Sequence, residues 1–171
     1  MGFYIDEYNV KKELEELLQK SDLKKKQRED LFKKLKKVPK NQLDDTFHVE
    51  HEIVFKKIDC LDCANCCKTT SPIFTSTDIQ RLSRLFKQKS ADFINEYLII
   101  DGDNDYVLKS APCPFLLPDN KCFVYDERPM ACREYPHTNR KNMYQILNLT
   151  AKNAEVCPAV AEILNRITVK K

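Results

Sequence analysis

Four cysteines fall within eight residues of this chain, as Cys60-Leu61-Asp62-Cys63-Ala64-Asn65-Cys66-Cys67, and four more follow at Cys113, Cys122, Cys132 and Cys157. A two-residue spacer lets the backbone turn once, so that successive thiolates converge on one metal, about 2.3 Å from a zinc ion. Three cysteines at that spacing also match the first three ligands of a bacterial ferredoxin run, whose fourth lies in a Cys-Pro pair. Here Cys113-Pro114 and Cys157-Pro158 both offer that pair. Adjacent side chains such as Cys66 and Cys67 usually point in different directions. Cys67 therefore turns to a second site, or joins Cys66 at a polynuclear cluster. Eight thiolates permit two four-cysteine sites, or one site and four thiols that serve as small buried hydrophobes.

The alternative use of cysteine is the disulfide. Residues Met1 to Val10 lack a basic region followed by an apolar core, so no export signal is expected there. A cytoplasmic chain meets a reducing medium in which stable disulfides are rare, and metal remains the common reason for clustered thiols. The sequon Asn148-Leu149-Thr150 is then incidental.

Composition removes several other classes. Two glycines in 171 residues leave no means of building a glycine-rich phosphate loop or a dinucleotide fingerprint. A formal charge of +3 is too small to imply nucleic acid, and no stretch approaches the roughly 20 apolar residues of a membrane span. With 42% hydrophobic and 32% charged residues the chain is globular.

The prolines are unevenly placed, with none before Pro39 and seven after Thr70. Residues 4 to 38 therefore read as helical, with one apolar stripe at Val10, Leu14, Leu17 and Leu18 and another at Leu31, Phe32, Leu35 and Val38. Ser21 and Asp22 suit the start of the second helix. Lys24 to Lys40 holds nine basic and two acidic residues, a solvated lysine face or a contact for an acidic partner or nucleic acid, the latter without interleaved aromatics to support it. Residues 41 to 58 read as a short helix or an extended arm. Thr75, Ser76 and Thr77 offer cap oxygens before Ile79, Leu82, Leu85 and Phe86, and Ser90 opens a helix carrying Phe93, Ile94 and Tyr97. Strands are expected over Tyr97–Ile100 and Tyr106–Lys109, about a turn at Asp101 to Asn104. A second hairpin joins Leu116-Leu117 to Cys122–Tyr125 through Pro118-Asp119-Asn120-Lys121. The end returns to helix from Pro158. The expected class is α+β, mostly helical, with short strands, hairpins and metal-bearing loops. A charged helical extension spans residues 1–45 and a cysteine-rich metal-binding domain spans 46–171.

The ordered series resembles a known group, the YkgJ-type CxxCxxCC proteins, to which zinc or iron chelation is ascribed. The resemblance continues past Cys67 through Cys113-Pro114-Phe115-Leu116, Cys122-Phe123-Val124-Tyr125, Arg128-Pro129, Cys132-Arg133-Glu134-Tyr135-Pro136 and Cys157. It implies that all eight cysteines serve a metal, as zinc or as an iron–sulfur cluster of the four-iron type. Members often carry glycine where this chain has Ala64. Since alanine resists positive φ, a slightly different turn is expected beside the metal. A related cysteine motif occurs in flagellin lysine methylases, which suggests an enzyme modifying a protein or small molecule. Yet no methyl-donor loop is evident in this chain.

Around the thiols, Arg128 and Arg133 flank Cys132 and could offset the negative charge of a thiolate centre, or else bond loop carbonyls. Tyr125 and Tyr135 read as core aromatics beside the centre, each with a hydroxyl seeking a partner. His48, His51 and His137 read as polar residues rather than ligands, and Asp101, Asp103 and Asp105 lack the glycine and glutamate of a calcium loop. Three functions remain open. The centre could be structural or electron-carrying, it could belong to an enzyme, or zinc could hold together an interaction module whose N-terminal helices dock a partner.

Overall fold

The computed structural model describes residues 25–169, together with Lys12 and Glu16. The stripe expected at Val10, Leu14, Leu17 and Leu18, and the helix start at Ser21, lie outside the described residues. In chain order the helices are α1 (Lys25–Leu35), α2 (Lys40–Phe55), α3 (Cys60–Cys63), α4 (Asn65–Thr69), α5 (Ser76–Leu85), α6 (Ser90–Tyr97), α7 (Met130–Glu134), α8 (Leu147–Val156) and α9 (Pro158–Val169). The strands are β1 (Ile73–Phe74), β2 (Leu98–Ile100) and β3 (Tyr106–Leu108). The class is α+β and mostly helical. The chain forms two compact units, one from residues up to Cys63 and again from Pro136, the other from Ala64–Tyr135. α2 is continuous through residues 45 and 46. Among the described residues no helix is long and apolar enough to cross a membrane.

The first unit is helical. In α2 the buried positions are Leu43, Phe47, Glu50 and Val54, a spacing of four, three and four that defines one helix face. Residues 40–55 are thus helix and not extended arm. Glu50 occupies the middle of that face, 1% exposed, because Arg166 of α9 meets its carboxylate at 2.6 Å. Asp44 accepts the N–H groups of Asn142 (2.7 Å) and Met143 (2.8 Å), which ties the turn before α8 to α2. α8 buries Leu147, Thr150, Asn153 and Ala154. Its two polar members are satisfied by main-chain carbonyls: Thr150 Oγ1 donates to Ile146 O (3.0 Å) and Asn153 Nδ2 to Pro136 O (3.3 Å). α9 contributes Ala159, Val160, Ile163 and Leu164 to the same core.

The second unit is a small antiparallel sheet of order β1-β3-β2 under two helices. The pairs Phe74↔Tyr106 and Ile100↔Tyr106 fix its register. Asp101 Oδ1 accepts the N–H groups of Asp103 and Asp105 at 3.0 Å each, which forms the β2–β3 turn with Asn104 at φ 66°. Tyr97, expected both on the helix and at the start of the strand, closes α6, and β2 begins one residue later. α5 opens with a reciprocal cap: Asp78 N–H donates to Thr75 Oγ1 (3.1 Å) and Thr75 N–H to Asp78 Oδ2 (3.0 Å). Phe74, Ile79, Leu82, Phe93, Leu98, Leu108, Phe115 and Val124 form the core, with Phe86 and Tyr97 packed against it. The rings of Phe93 and Tyr97 lie 5.0 Å apart and those of Phe86 and Phe115 5.5 Å apart, which fixes α5 and α6 over the cysteine-bearing hairpin.

Candidate metal centre

The four-thiol group of the Ala64–Tyr135 unit is assembled by three local devices. The first is α4, whose start at Ala64 takes the left-handed conformation, φ 48° and ψ 17°. Alanine was expected to alter this turn. Instead it adopts the strained geometry, its methyl group buried. The second is a main-chain bond: Cys113 N–H donates to Cys67 O at 2.8 Å, joining the loop that carries Cys113 to α4. The third is the expected hairpin. Leu116 and Cys122 pair across it, Leu117 N–H donates to Lys121 O (2.8 Å), and Phe123 N–H donates to Phe115 O (2.8 Å). Asn120 supplies the positive φ of 66° at its turn. Cys132 lies on α7, which begins after Pro129.

These four thiols are electrostatic neighbours. Burial pushes the Cys113 thiol up to about 11 and the Cys132 thiol up to about 12. The negative charges of Cys67 and Cys122 push Cys113 in the same direction, and those of Cys67, Cys113 and Cys122 push Cys132. Burial likewise raises Cys122, against a hydrogen bond from the Val124 amide. Cys67 differs. A hydrogen bond from the Cys66 thiol, with the sulfurs 4.0 Å apart, lowers it to about 7 despite burial, and Lys68 assists. Cys113 accepts N–H bonds from Phe115 and Leu116.

In the helical unit, Cys60 and Cys63 are the first and last residues of α3, started by Asp59, whose Oδ1 accepts Leu61 N–H at 2.8 Å. Cys157 is buried at the junction of α8 and α9. Burial raises its thiol to about 12. Amide bonds from Val160 and Ala159 oppose the rise, while the charges of Cys60 and Cys63 add to it. None of the eight cysteines is in a disulfide.

Among the described residues no three cysteine, histidine or acidic side chains stand in positions that hold a metal ion. The thiols are neighbours and not a closed coordination shell. Their chemistry nevertheless suits a soft metal: sulfur donors, mutual repulsion when ionised, and amides aimed at sulfur, all of which a cation would reverse into attraction. The expectation of metal-bearing loops needs one refinement. Cys60, Cys63, Cys66, Cys67 and Cys132 lie in short helices, because residues three apart share a helix face.

Tyr125, expected in the core, is exposed, and the guanidinium of Arg128 stacks 3.8 Å over its ring and donates to Tyr125 O at 2.6 Å. The Arg128 charge opposes, without overcoming, the rise at Cys122 and Cys132. Arg133 donates to the carbonyls of Arg128 (2.9 Å) and Asp126, so it braces the loop. Tyr135 ends α7, its N–H donating to Ala131 O at 3.1 Å. His48 Nε2–H donates to Arg140 O (2.9 Å), and His51 Nδ1 bonds Thr138 Oγ1 (2.8 Å). His137 takes a positive φ of 66°.

Sequence reasoning passed over Arg81 and the second role of Asp78. Arg81 Nη2 donates to the Asp78 carboxylate (2.7 Å) and to the carbonyls of Glu127 (3.2 Å) and Arg128 (2.9 Å). Asp78 Oδ1 also accepts Met130 N–H at 3.1 Å. Together they fasten the Cys132 helix to α5. The signal lay in the three-residue spacing of Asp78 and Arg81, which puts both on one face.

Residues 59–158, more than half of the 171, match the family model CxxCxxCC, described as a “putative zinc- or iron-chelating domain”. The chain belongs to the CxxCxxCC family. All eight cysteines fall inside the matched segment, and the residues before 59 fall outside it. No curated protein and no solved structure matches the chain significantly. The geometry of this CxxCxxCC chain therefore carries the reading of its own site.

Proposed function

We propose that this chain is a thiolate metalloprotein whose Ala64–Tyr135 unit holds an iron–sulfur cluster through Cys67, Cys113, Cys122 and Cys132. The observation that carries the reading is the grouping of those four thiols from three separate segments within one unit, where Cys113 N–H is bonded to Cys67 O and the charge of Cys67 reaches each of the other three. In the metal-free state Cys113, Cys122 and Cys132 are held towards the protonated thiol, because burial and the charges of neighbouring thiolates oppose their ionisation. Arg128, held over Tyr125, offsets part of that charge. The amides of Phe115, Leu116 and Val124 give hydrogen bonds to sulfur that strengthen when the sulfur is anionic. A cluster bound there supplies a one-electron site. With a ligand set made of cysteine alone, its role is electron transfer or structure.

A zinc ion is the second reading, favoured by the hairpin that carries Cys113 and Cys122 on its two arms and satisfied by the same four ligands. Anaerobic purification, elemental analysis and a visible spectrum separate the two. A brown protein containing iron and acid-labile sulfide supports the cluster. A colourless protein with stoichiometric zinc rejects it.

A further inference from the structure

The sheet of the Ala64–Tyr135 unit has two edges, and they are finished differently. β1 is two residues long and has α7 packed against it. β2 has β3 on one side, and among the described residues its other side carries no strand. Bonds from Lys109 N–H to Tyr97 O (2.9 Å) and from Asp101 N–H to Asp105 O (3.0 Å) place residues 97, 99 and 101 facing β3. By the alternation of an antiparallel ladder, the main-chain groups of Leu98 and Ile100 point the other way. Leu98 N–H is taken by Ile94 O at the end of α6. Leu98 C=O and both groups of Ile100 are left aimed outward, a template for another strand.

The side chains suit the same use. One face of the sheet covers the core through Phe74, Leu98 and Leu108. The opposite face carries the cross-strand row Ile73, Val107 and Ile99, with Ile73 45% and Ile99 47% exposed. Ile100, 56% exposed, stands at the edge itself. The edge Leu98-Ile99-Ile100 holds neither a charge nor a proline, the residues that commonly guard such an edge.

We propose that β2 pairs with β2 of a second copy of this chain, antiparallel and about a two-fold axis at Ile99. That axis matches the free groups to one another: Ile100 N–H of each copy donates to Leu98 C=O of the other. Ile99 meets its counterpart in the non-hydrogen-bonded position, where Cα atoms stand about 4.5 Å apart. The apolar row then runs unbroken through the three strands of one copy and the three of the other.

Charge favours a second copy as the occupant. Position 101 of one copy comes opposite position 97 of the other, and Lys109 is the ladder partner of Tyr97. The acidic turn that holds Asp101, Asp103 and Asp105 therefore lies at the other copy's Lys109 end, and the two acidic turns are kept apart. Glu96 at that end is engaged by Gln88 Nε2 at 2.7 Å. An isologous pair of this kind closes on itself and leaves no β2 edge to extend it. The contact is short, so the dimer is weak and depends on concentration. It does not depend on what the thiols hold.

The test is sedimentation equilibrium of the full chain under reductant, which excludes intermolecular disulfides. The wild type is expected to pass from monomer to dimer between micromolar and millimolar concentration. Ile99→Lys sets two ammonium groups opposite each other at the axis and should weaken the dimer about tenfold or more. Ile99 is outside the core, and circular dichroism confirms that the variant folds. Ile100→Pro removes an N–H that the β2–β3 ladder does not use, and should weaken the dimer similarly. A mixture of Ile99→Lys and Ile99→Glu chains should pair again, and Ile73→Lys should dimerise like the wild type. A wild type that stays monomeric overturns the proposal and leaves the edge to a strand of another protein. A dimer that survives both Ile99→Lys and Ile100→Pro overturns it by placing the interface elsewhere. Loss of the dimer in a folded Ile73→Lys chain overturns it in favour of sheets stacked face to face.

Discussion

The two units reach stability by different means. The helical unit buries long apolar faces, with Phe47, Leu43, Val160, Ile163 and Leu164 almost wholly enclosed and the Glu50–Arg166 pair as its buried charge. The Ala64–Tyr135 unit has short strands, helices of ten residues or fewer, and one aromatic cluster, with Cys113 and Cys122 packed against its edge. Its loops are tied instead by main-chain bonds and by Arg81 and Asp78, beside four thiols that a bound metal would join. Metal should therefore matter to the stability of the second unit more than its share of residues suggests.

The largest expected effect follows from that contrast. Structural zinc in small domains is worth about 10–16 kcal/mol apparent free energy, so stripping the metal with a chelator should cost the Ala64–Tyr135 unit at least several kcal/mol. Hydrogen exchange measured before and after chelation should show protection lost across residues 64–135 and largely kept in α2 and α9. Uniform loss would break the comparison.

Next in size are two core truncations. Phe93→Ala and Phe47→Ala should each cost about 3–5 kcal/mol, since both side chains are fully buried. The difference lies in a second readout. Phe93 packs on the hairpin through Phe115, so its loss should also weaken metal retention in a chelator competition, while Phe47→Ala leaves retention of the four-thiol site unchanged.

Those two residues show how unevenly the fold was legible. Phe93 and its helix were readable because Ile79, Leu82, Phe86, Phe93 and Tyr97 repeat at helical spacing behind visible caps. α2 was readable only as helix or arm, because Glu50 interrupts its apolar face and its pairing with Arg166, distant in sequence, cannot be read from the local pattern. α8 was missed altogether. Its buried Thr150 and Asn153 look like surface residues until the carbonyls that satisfy them are seen. At the site, the cysteine series and its hairpin could be read directly, and so could the candidate ligands. Their distribution over two compact units could not, because Cys63 and Cys67 lie in one motif yet belong to different units.

Smaller effects concern the fastenings. Glu50→Gln should cost about 2 kcal/mol, less than a fully buried pair because Arg166 is partly solvated. Thermal melts should register it without change in metal content. For Asp78, burial works to raise the carboxyl, but bonds from Thr75, Arg81 and Met130 outweigh it and hold the group below its ordinary 3.8. A carboxylate lowered in this way contributes stability above its unfolded value and loses it as pH falls through the folded value. The metal-free protein should thus lose stability below about pH 4, and Asp78→Asn should flatten that slope. An unchanged slope would remove Asp78 from the account.

The smallest effect is expected at Ala64. Relief of about 1–2 kcal/mol of left-handed strain is opposed by about 0.8 kcal/mol for the buried methyl group and by glycine's entropy of roughly 0.5–1 kcal/mol. Ala64→Gly should therefore shift stability by less than about 1 kcal/mol, and a larger loss on denaturant titration would show that the methyl group is a packing element in its own right.

The most direct test of the thiolate centre is pulsed alkylation of the reduced full chain, read by mass spectrometry residue by residue, in the metal-loaded state and after chelation. Loading is expected to protect Cys67, Cys113, Cys122 and Cys132 together, and chelation to expose them together. Alkylation of those four at the same rates in both states, in a chain that stays folded, would contradict it.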